Sequence, residues 1–266
     1  MNTQGPGPNH KRTMGRILVT MKQMGDIARI WREVGKKYEI TLCGNSRFLK
    51  RGEIEYYVNS LPSYKQIQVK ELGFIASTRR FITKDQRVFK GGRETSDSVV
   101  FWKGVEKEKG WISKGWSIDI NHAYWQAAQE IGYIDKRIYE EGLLKKKGIR
   151  LAALGTFAKK TYRWSYDGRR EKALGITRPE YPWVFFNCAK KVEQLMERCA
   201  EVSGVDFIFY WTDGIYVETK EACMACKEVI QLAGYSCKVE ELRRIEKTNE
   251  GFKTYETRGV KIYPIT

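Results

Sequence analysis

The amino-acid sequence predicts an α+β protein in which an antiparallel sheet is backed by helices. Residues 205–217 are rich in β-branched and aromatic side chains on both sides of an Asp213-Gly214 pair, which is typical of a β-hairpin. A long stretch of helical composition, residues 183–202, leads into this hairpin, and a second one follows at residues 220–234. Because strands and helices alternate around one hairpin, we expect a sheet with helices packed against it.

The other elements of the C-terminal half follow from composition and turn residues. Glycines at positions 142 and 148 interrupt a basic, helix-prone stretch, and an Asp167-Gly168 pair predicts a second hairpin-like turn. The predicted elements are helices at residues 123–131 and 135–158, a hairpin at 161–176, and strands at 236–242 and 252–262.

The first part of the chain is expected to form an N-terminal α/β region, residues 15–110, after a flexible leader at residues 1–14. In residues 78–90, basic side chains alternate with aliphatic and aromatic ones. This pattern indicates either a solvated strand face or a surface that follows a phosphate backbone. Residues 91–98 have the composition of a linker. Strands are predicted at residues 15–21, 38–43, 53–59 and 65–76, and a helix at residues 25–35.

The chain carries a large excess of positive charge. Its 48 Lys and Arg residues, against 32 Asp and Glu residues, give a formal net charge of +16 in 266 residues. This excess favours a polyanionic partner, and 15 Tyr, 11 Phe and 8 Trp residues suit stacking on nucleic-acid bases. The alternatives are generic basicity and an anionic membrane surface. No apolar run approaches the roughly 20 residues that span a membrane, so we expect a cytoplasmic protein without a membrane partner.

The six cysteines are scattered and do not resemble a disulfide framework. Cys223 and Cys226 have CxxC spacing, but no second pair and no histidine cluster accompanies them. We therefore expect the pair to lie on one face of a helix rather than to bind zinc.

Asp119 and Asp213 are the candidate catalytic residues. Each lies at the end of an apolar, strand-like run, where a single aspartate is usually explained by turn chemistry. Considered together with the residues between them, the two acids suggest a pair that holds metal ions.

The residues around these acids resemble the palm of family B DNA polymerases, most closely the small protein-primed kind. That palm begins with Asp-x-x-Ser-Leu-Tyr-Pro-Ser, and Asp119 and Tyr124 match the pattern at the right separation. The family's third motif is Tyr-x-Asp-Thr-Asp-Ser, which Tyr210-Trp211-Thr212-Asp213-Gly214 resembles. Asp213 takes the place of the second acid, whereas Trp211 stands near the place of the first.

Two further stretches resemble the same family, in the family's order. The fingers helix carries Lys-x-x-x-Asn-Ser-x-Tyr-Gly, and residues 150–158 (RLAALGTFA) are similar to it. Arg150 replaces Lys and Phe157 replaces Tyr, while Leu154 departs from the Asn. A Lys-x-Tyr near the end of the family's palm resembles Lys253-Thr254-Tyr255.

The resemblance implies nucleotidyl transfer with two Mg²⁺ or Mn²⁺ ions. Asp119 and Asp213 would hold the ions, with the main-chain carbonyl of Ile120 as a further oxygen ligand. Arg150 would neutralise charge on the leaving pyrophosphate, helped by Lys147 and Lys146.

The resemblance also implies contacts to the other substrate groups. Tyr124 would stack under the sugar of the incoming dNTP and exclude a 2′-hydroxyl, and Phe157 would pack beside the nascent base pair. An ordinary core position is the alternative for both rings. Lys253, Tyr255 and Thr212 would contact the DNA primer and template.

The expected protein is therefore a minimal DNA-directed DNA polymerase with a family B-like palm at residues 111–266. Within it we expect small helical fingers at about 132–176 and a reduced thumb at about 220–266. No exonuclease motif is visible in the first 100 residues, so we expect no proofreading. A reduced thumb also predicts low processivity or dependence on a priming or processivity protein.

Other readings of the same acids remain open at this point. One alternative is a decayed palm that binds nucleic acid without catalysis, and another is a primase-like activity. A metal-dependent nuclease would need further acids, for which Asp206 and Glu218 are the nearby candidates.

Overall fold

The computed structural model shows a mixed α+β chain that divides into two compact units, which confirms the predicted fold class. Unit 1 comprises Met1–Gln68 and Lys159–Pro179, and unit 2 comprises Val69–Ala158 and Glu180–Thr266. The predicted leader, residues 1–14, lies outside the residues that the structure describes. Those residues are 15–19, 21–43, 46–59, 69–84, 93–177 and 179–264.

The described elements are seven α-helices, two 3₁₀ turns (Ser96–Ser98 and Gly204–Asp206) and thirteen strands. The helices are α1 (Met21–Glu33), α2 (Val69–Lys84), α3 (Ala123–Glu130), α4 (Lys136–Leu143), α5 (Lys147–Gly155), α6 (Trp183–Ser203) and α7 (Lys220–Leu232). The strands are β1 (Gly15–Leu18), β2 (Tyr38–Cys43), β3 (Ser46–Arg51), β4 (Ile54–Asn59), β5 (Trp102–Gly104), β6 (Ile112–Ile120), β7 (Thr161–Tyr166), β8 (Glu171–Thr177), β9 (Phe207–Trp211), β10 (Gly214–Val217), β11 (Cys237–Lys247), β12 (Gly251–Glu256) and β13 (Gly259–Pro264).

Unit 1 is built on a six-stranded sheet in the order β1-β4-β3-β2-β7-β8. β1 runs parallel to β4, and the other neighbouring pairs are antiparallel. Met24 of α1 belongs to a core cluster with Tyr38, Leu49 and Tyr166, which lie on three different strands. Apolar side chains of α1 thus cover one face of this sheet.

Helix α2 overturns two sequence predictions. Strands are predicted for residues 65–76 and a strand-like surface for residues 78–90, but their described parts are helical as far as Lys84. Phe74, Thr78 and Ile82 are buried at a spacing of four residues. The helical period therefore decides the structure of this segment, not the apparent alternation of polar and apolar residues.

The two units also divide the chain differently from the predicted domains. The sequence predicts a boundary near residue 110, whereas the units separate after Gln68. β7 and β8, which fall inside the predicted fingers, pair with β2 in the sheet of unit 1. β3 is absent from the prediction and joins β2 to β4. The pairing of β7 with β2 joins segments that are distant in sequence, so no local pattern predicts it.

Unit 2 is built on a seven-stranded antiparallel sheet in the order β13-β12-β11-β6-β10-β9-β5. α6 and α7 pack against its central strands, and α3 packs on α6. Ile118 and Ile215 are register partners, are fully buried and belong to the face that these helices cover. The predicted arrangement of an antiparallel sheet backed by helices is therefore present in unit 2.

The opposite face of the same sheet carries an aromatic core. Phe209 stacks on Tyr216, with ring centroids 4.1 Å apart, and on Phe252 at 4.6 Å. Tyr263 of β13 contacts Phe209 and shares a hydrogen bond with the Tyr216 hydroxyl. Since β13 and β10 are not neighbours in the strand order, the sheet must curl over its own face to bring these rings together.

Several predicted elements of unit 2 are confirmed. The predicted hairpin forms as β9 and β10, and the long helix and the helix after the hairpin form as α6 and α7. Cys223 and Cys226 are both buried on α7, in agreement with the expected helix face. None of the described helices has the length and apolar character that crossing a membrane requires.

Candidate active site

Neighbouring strands of unit 2 bring the two candidate acids together. Asp119 on β6 is the register partner of Gly214, the first residue of β10, and Asp213 directly precedes it. The Ile120 N–H donates to the Asp213 carbonyl at 2.9 Å, which fixes the tip of the hairpin to the end of β6. Two residues 94 positions apart in sequence thus meet across a single register position.

Gly214 leaves space beside the Asp119 carboxylate. A Cβ atom at this glycine would lie 3.7 Å from Asp119 Oδ1 and 3.7 Å from the Trp211 carbonyl oxygen. Because Gly214 has no side chain, the space beside the Asp119 carboxylate stays open. The register partner of Gly214 on the other side is Trp211, so the three positions share one face of the sheet.

The electrostatics of the site show that the two carboxylates interact. The Asp119 side chain is exposed, yet the surrounding atoms displace enough water to raise its pKa, and the charge of Asp213 raises the pKa further. Lys147, Lys261 and Lys238 oppose the shift, in that order. The positive charges of these three lysines therefore act on Asp119.

Left-handed backbone marks both edges of the site. His122 has φ = 57° and Thr212 has φ = 55°, and these are the non-glycine residues with positive φ among the described residues. Such a conformation costs about 1–2 kcal/mol per residue and clusters at functional sites. The hairpin turn is consequently Thr212-Asp213, one position earlier than the Asp213-Gly214 centre that the sequence predicts.

Thr212 also holds the Asp213 carboxylate in place. Its Oγ1 donates to Asp213 Oδ1 at 2.7 Å, and its N–H donates to the Phe101 carbonyl at 2.6 Å. The sequence prediction assigns Thr212 to primer or template contacts, whereas these bonds give it a positioning role next to the acid.

A recess opens beside Asp213. Its lining includes Tyr124, whose ring stacks on Phe185 at 5.8 Å with an interplanar angle of 11°. Burial raises the pKa of the Tyr124 hydroxyl well above its usual value, the Asp213 charge adds to the rise, and a hydrogen bond with Thr212 opposes it. Tyr124 is thus a fixed neutral ring beside one of the two acids. The recess is lined by His122, Ala123, Tyr124, Trp125, Lys147, Arg150, Leu151, Leu154 and Asp213.

Arg150 lines this recess, but its guanidinium is largely committed within the protein. The residue is 6 % exposed, and its Nη1 donates to the carbonyls of Gly142 at 2.9 Å and Lys145 at 2.6 Å. Its Nη2 lies 2.9 Å from His122 Nδ1. This geometry makes Arg150 a brace between the end of α4 and the recess, and leaves the exposed Lys147 as the cation nearer to solvent.

His122 is a site residue that the sequence prediction does not include. A guanidinium can only donate, so His122 Nδ1 accepts from Arg150 and the neutral ring carries its proton on Nε2. Burial, Arg150 and Lys147 all lower the pKa of His122 below its usual 6.5. The exposed imidazole therefore offers one N–H donor at the recess. No sequence signal distinguishes it, apart from its position between Asp119 and Tyr124.

No protein-family model and no curated protein matches the chain.

Two lysines near the acids are also absent from the sequence prediction. Lys238 on β11 is the register partner of Asp119, and its Nζ lies 2.6 Å from Glu240 Oε2. Lys261 on β13 lies 2.7 Å from Glu256 Oε2, and its charge acts on Asp119. Strand pairing and the curl of the sheet bring them to the acids, and neither is visible in the sequence.

The structure does not bring Lys253 and Tyr255 to the acids. Phe252 belongs to the aromatic core on the face that Asp119 shares with Tyr216, so alternation along β12 turns Lys253 and Tyr255 to the opposite face. There the Tyr255 ring lies 5.2 Å from Lys253 Nζ, and its hydroxyl donates to Glu246 at 3.2 Å. These residues form a cluster of their own.

Phe157 and Ile120 are core residues, each 2 % exposed. The core alternative for Phe157 therefore describes its surroundings better than the predicted contact with a base pair. Trp211, which stands near the place of the missing acid, packs against Tyr263 at 5.8 Å. Its ring extends the aromatic core.

Asp206 and Glu218 lie together at the far end of the β9–β10 hairpin. The Glu218 N–H donates to the Asp206 carbonyl at 2.9 Å, and Glu218 is ion-paired with Lys107 at 3.0 Å. The strand β10 separates Glu218 from Asp213 by roughly 16 Å. Asp206 and Glu218 do not extend the acid pair.

The donor set at Asp119 and Asp213 fits a hard divalent cation. Carboxylate oxygens are the ligands that Mg²⁺ prefers, and a bound cation would remove the repulsion between the two charges. Within the described part of the chain, no group of three or more His, Cys, Asp or Glu side chains could hold a metal ion. A divalent ion here would take its other ligands from main-chain oxygens, water or substrate.

Proposed function

We propose that the chain is a nucleotidyltransferase, a minimal DNA polymerase that adds deoxynucleotides to a 3′-hydroxyl at Asp119 and Asp213 without proofreading. The observation that carries this proposal is the meeting of the two acids across one register position, with repulsion between their carboxylates. The order of the sequence motifs supports a family B-like palm, and the net charge of +16 supports a nucleic-acid partner.

The acid pair would hold Mg²⁺ or Mn²⁺, which supplies charge neutralisation at the phosphates and activation of the 3′-hydroxyl. Asp213 enters the reaction already oriented, because the Thr212 hydroxyl holds its Oδ1. Asp119 lies on the neighbouring strand, and Gly214 leaves the space beside its carboxylate open. The chain thus supplies one preorganised carboxylate beside a second acid, and preorganisation avoids a reorganisation cost during the reaction.

The recess beside Asp213 would take the incoming dNTP. Tyr124 offers a ring held by its stack on Phe185, against which the sugar of a deoxynucleotide fits and a 2′-hydroxyl collides. The exposed Lys147 and the Nε2–H of His122 would donate to phosphate oxygens as charge develops on the leaving group. Arg150 would act through His122 and α4 rather than on the triphosphate.

Primer extension with dNTPs and Mg²⁺ or Mn²⁺ tests the proposal. The variants Asp119→Asn and Asp213→Asn are expected to lower incorporation at least about 100-fold, since each removes charge that the transition state needs. Asp167→Asn is the matched control, because it changes the other Asp-Gly turn of the chain. Absence of incorporation by the unchanged protein on any primer–template would refute the enzyme, and normal incorporation by both aspartate variants would refute the site.

A second candidate is a non-catalytic nucleic-acid-binding protein with a decayed palm. It is favoured by Trp211, which stands in the aromatic core near the place of an acid in the family. It is also favoured because, among the described residues, no group of three or more His, Cys, Asp or Glu side chains could hold a metal ion. Metal-independent binding by an Asp119→Asn, Asp213→Asn double variant, with no incorporation by the unchanged chain, would select this candidate.

A further inference from the structure

Unit 1 holds most of the net charge of the chain. Its 89 residues contain 19 Lys and Arg against 7 Asp and Glu, a net +12, whereas unit 2 has 29 against 25, a net +4. About three quarters of the excess positive charge thus falls on one third of the sequence. A polyanionic partner would meet its strongest attraction there.

The face of the unit 1 sheet opposite α1 carries one row of side chains across four strands. Tyr57 on β4 is paired with Phe48 on β3, Phe48 with Thr41 on β2, and Thr41 with Arg163 on β7. Their strand neighbours Tyr56, Leu49 and Ile40 belong to the core under α1, so alternation turns this row to the other face. We refer to Tyr57, Phe48, Thr41 and Arg163 as the aromatic row.

The aromatic row offers two stacked rings next to cations. Phe48 and Tyr57 have ring centroids 6.5 Å apart at 22°, and both side chains are half-buried. Arg163 is exposed at the end of the row. The next row of side chains on this face lies two residues further along each strand. There the register partners of Lys50 are Glu39 and Glu55, and the register partner of Lys172 is Ser165. The one helix described in unit 1 lies on the other face of the sheet.

We infer that this face of unit 1 binds single-stranded nucleic acid through the aromatic row. Unpaired bases stack on Phe48 and Tyr57, since each ring presents a flat apolar surface on adjacent strands. The phosphates between the bases meet Arg163 and the exposed Lys172, because Glu39 and Glu55 flank Lys50 and offset its charge. The net +12 of the unit supplies the long-range attraction. Paired bases cannot stack in this way, so the face discriminates single strands from duplex. The inference gives unit 1 a partner and does not depend on catalysis by the aspartates.

Fluorescence anisotropy with labelled oligonucleotides tests the inference on the full chain. Oligo-dT, oligo-U and duplex DNA, each of about 20 nucleotides, cover both single-strand chemistries and the paired form. The protein carries Asp119→Asn and Asp213→Asn in every arm, so that a failure of the proposed catalysis cannot change the outcome. The expected result is tighter binding of one or both single strands than of duplex.

Substitutions locate the binding on the face. Phe48→Leu and Tyr57→Leu keep apolar volume but remove stacking, and each is expected to weaken single-strand binding about 5- to 150-fold. Tyr162→Leu is the matched control, because Tyr162 is an exposed ring on the opposite face of the same sheet, stacked on Trp164. Its binding should stay within about twofold of the parent. Arg163 is exposed, so Arg163→Gln leaves the core intact. Loss of its one phosphate contact should make the slope of log K against log salt concentration shallower by about 0.7.

Each result decides the inference. Thermal melting identifies a variant that has lost its fold, and Arg163→Gln then carries the test. Equal binding of duplex and single strands, or unchanged binding in the folded Phe48 and Tyr57 variants, would mean that phosphates alone are recognised and would overturn it. An equal loss in Tyr162→Leu would place the strand on the other face and would overturn it as well. A difference between oligo-dT and oligo-U identifies which single strand the face prefers.

Discussion

Two hairpins of this chain share an Asp-Gly pair at their tips and use it differently. In unit 1 the tip is Tyr166-Asp167-Gly168, and in unit 2 it is Thr212-Asp213-Gly214. Asp167 Oδ1 accepts from the N–H groups of Arg169 and Arg170 at 2.9 Å and 3.0 Å, which lowers its pKa below the usual range. The Asp167 carboxylate therefore accepts hydrogen bonds within its own turn.

Asp213 is held by a side chain instead and faces a second acid. Its Oδ1 accepts from Thr212, and its charge raises the pKa of Asp119 on the neighbouring strand. The position of the residue with positive φ also differs between the two hairpins. Gly168 takes the positive φ of 103° in the first hairpin, whereas Thr212 takes it in the second and Gly214 belongs to β10. An aspartate-glycine pair thus predicts a turn in both hairpins. The candidate site is distinguished by the positive φ of Thr212 and by Asp119 on the neighbouring strand.

The two glycines give the largest expected contrast between the hairpins. Gly168→Ala should destabilise the fold by about 1–2 kcal/mol, because alanine is disfavoured at positive φ and its Cβ would lie 3.1 Å from the Gly35 carbonyl oxygen. Nucleotide incorporation at a temperature where the variant is folded should remain unchanged. Urea unfolding and primer extension measure the two quantities.

Gly214→Ala should show the opposite behaviour. Its methyl group would make ordinary contacts at 3.7 Å and 3.8 Å, so the free energy of unfolding should change little. The same methyl group lies beside Asp119 Oδ1, and a displaced carboxylate should lower incorporation by about 10- to 100-fold. If both glycine variants lost stability and activity together, the distinction between a turn and a site would be wrong.

The two aspartates should change stability in opposite directions. The folded-state pKa of Asp119 is raised above the usual 3.8, so its ionised form disfavours folding at pH 7 and Asp119→Asn should raise Tm. The gain, below about 1 kcal/mol for this exposed group, should disappear when the pH falls below 3.8. The pKa of Asp167 is lowered, so Asp167→Asn should lower Tm at pH 7, and this loss should fade as acid protonates the wild type.

Melting curves of the three proteins from pH 3 to pH 7, with metal chelated, measure this contrast. A lower Tm for Asp119→Asn at pH 7 would show that the lysines around the pair outweigh the charge of Asp213. Stabilisation that accompanies a loss of incorporation would be expected for a site that holds like charges together for a bound cation.

The difference between the hairpins also shows what sequence can and cannot predict. Composition and turn residues predict both hairpins, α6 and α7, since each depends on local preferences. The role of Arg150 is not predictable, because the carbonyls of Gly142 and Lys145 that bind it are exposed only by the end of α4. The same limit applies to Lys253. Its face depends on strand pairing after a bulge between Leu242 and Ile245, which no local pattern announces.

The smallest expected contrast lies in the hydroxyl groups that precede the two aspartates. Thr212 donates to the Asp213 carboxylate, whereas the Tyr166 hydroxyl donates to the Gly168 carbonyl at 3.0 Å. Tyr166→Phe should therefore cost about 0.5–1.5 kcal/mol of stability and leave incorporation unchanged. Thr212→Val keeps a β-branched side chain of the same shape but removes the hydroxyl that donates to Asp213. Incorporation should therefore fall about 2- to 10-fold, and a higher Mg²⁺ concentration should be required. Titrating Mg²⁺ in single-nucleotide incorporation separates the two, because a purely structural role of Thr212 would lower the rate without moving the Mg²⁺ midpoint.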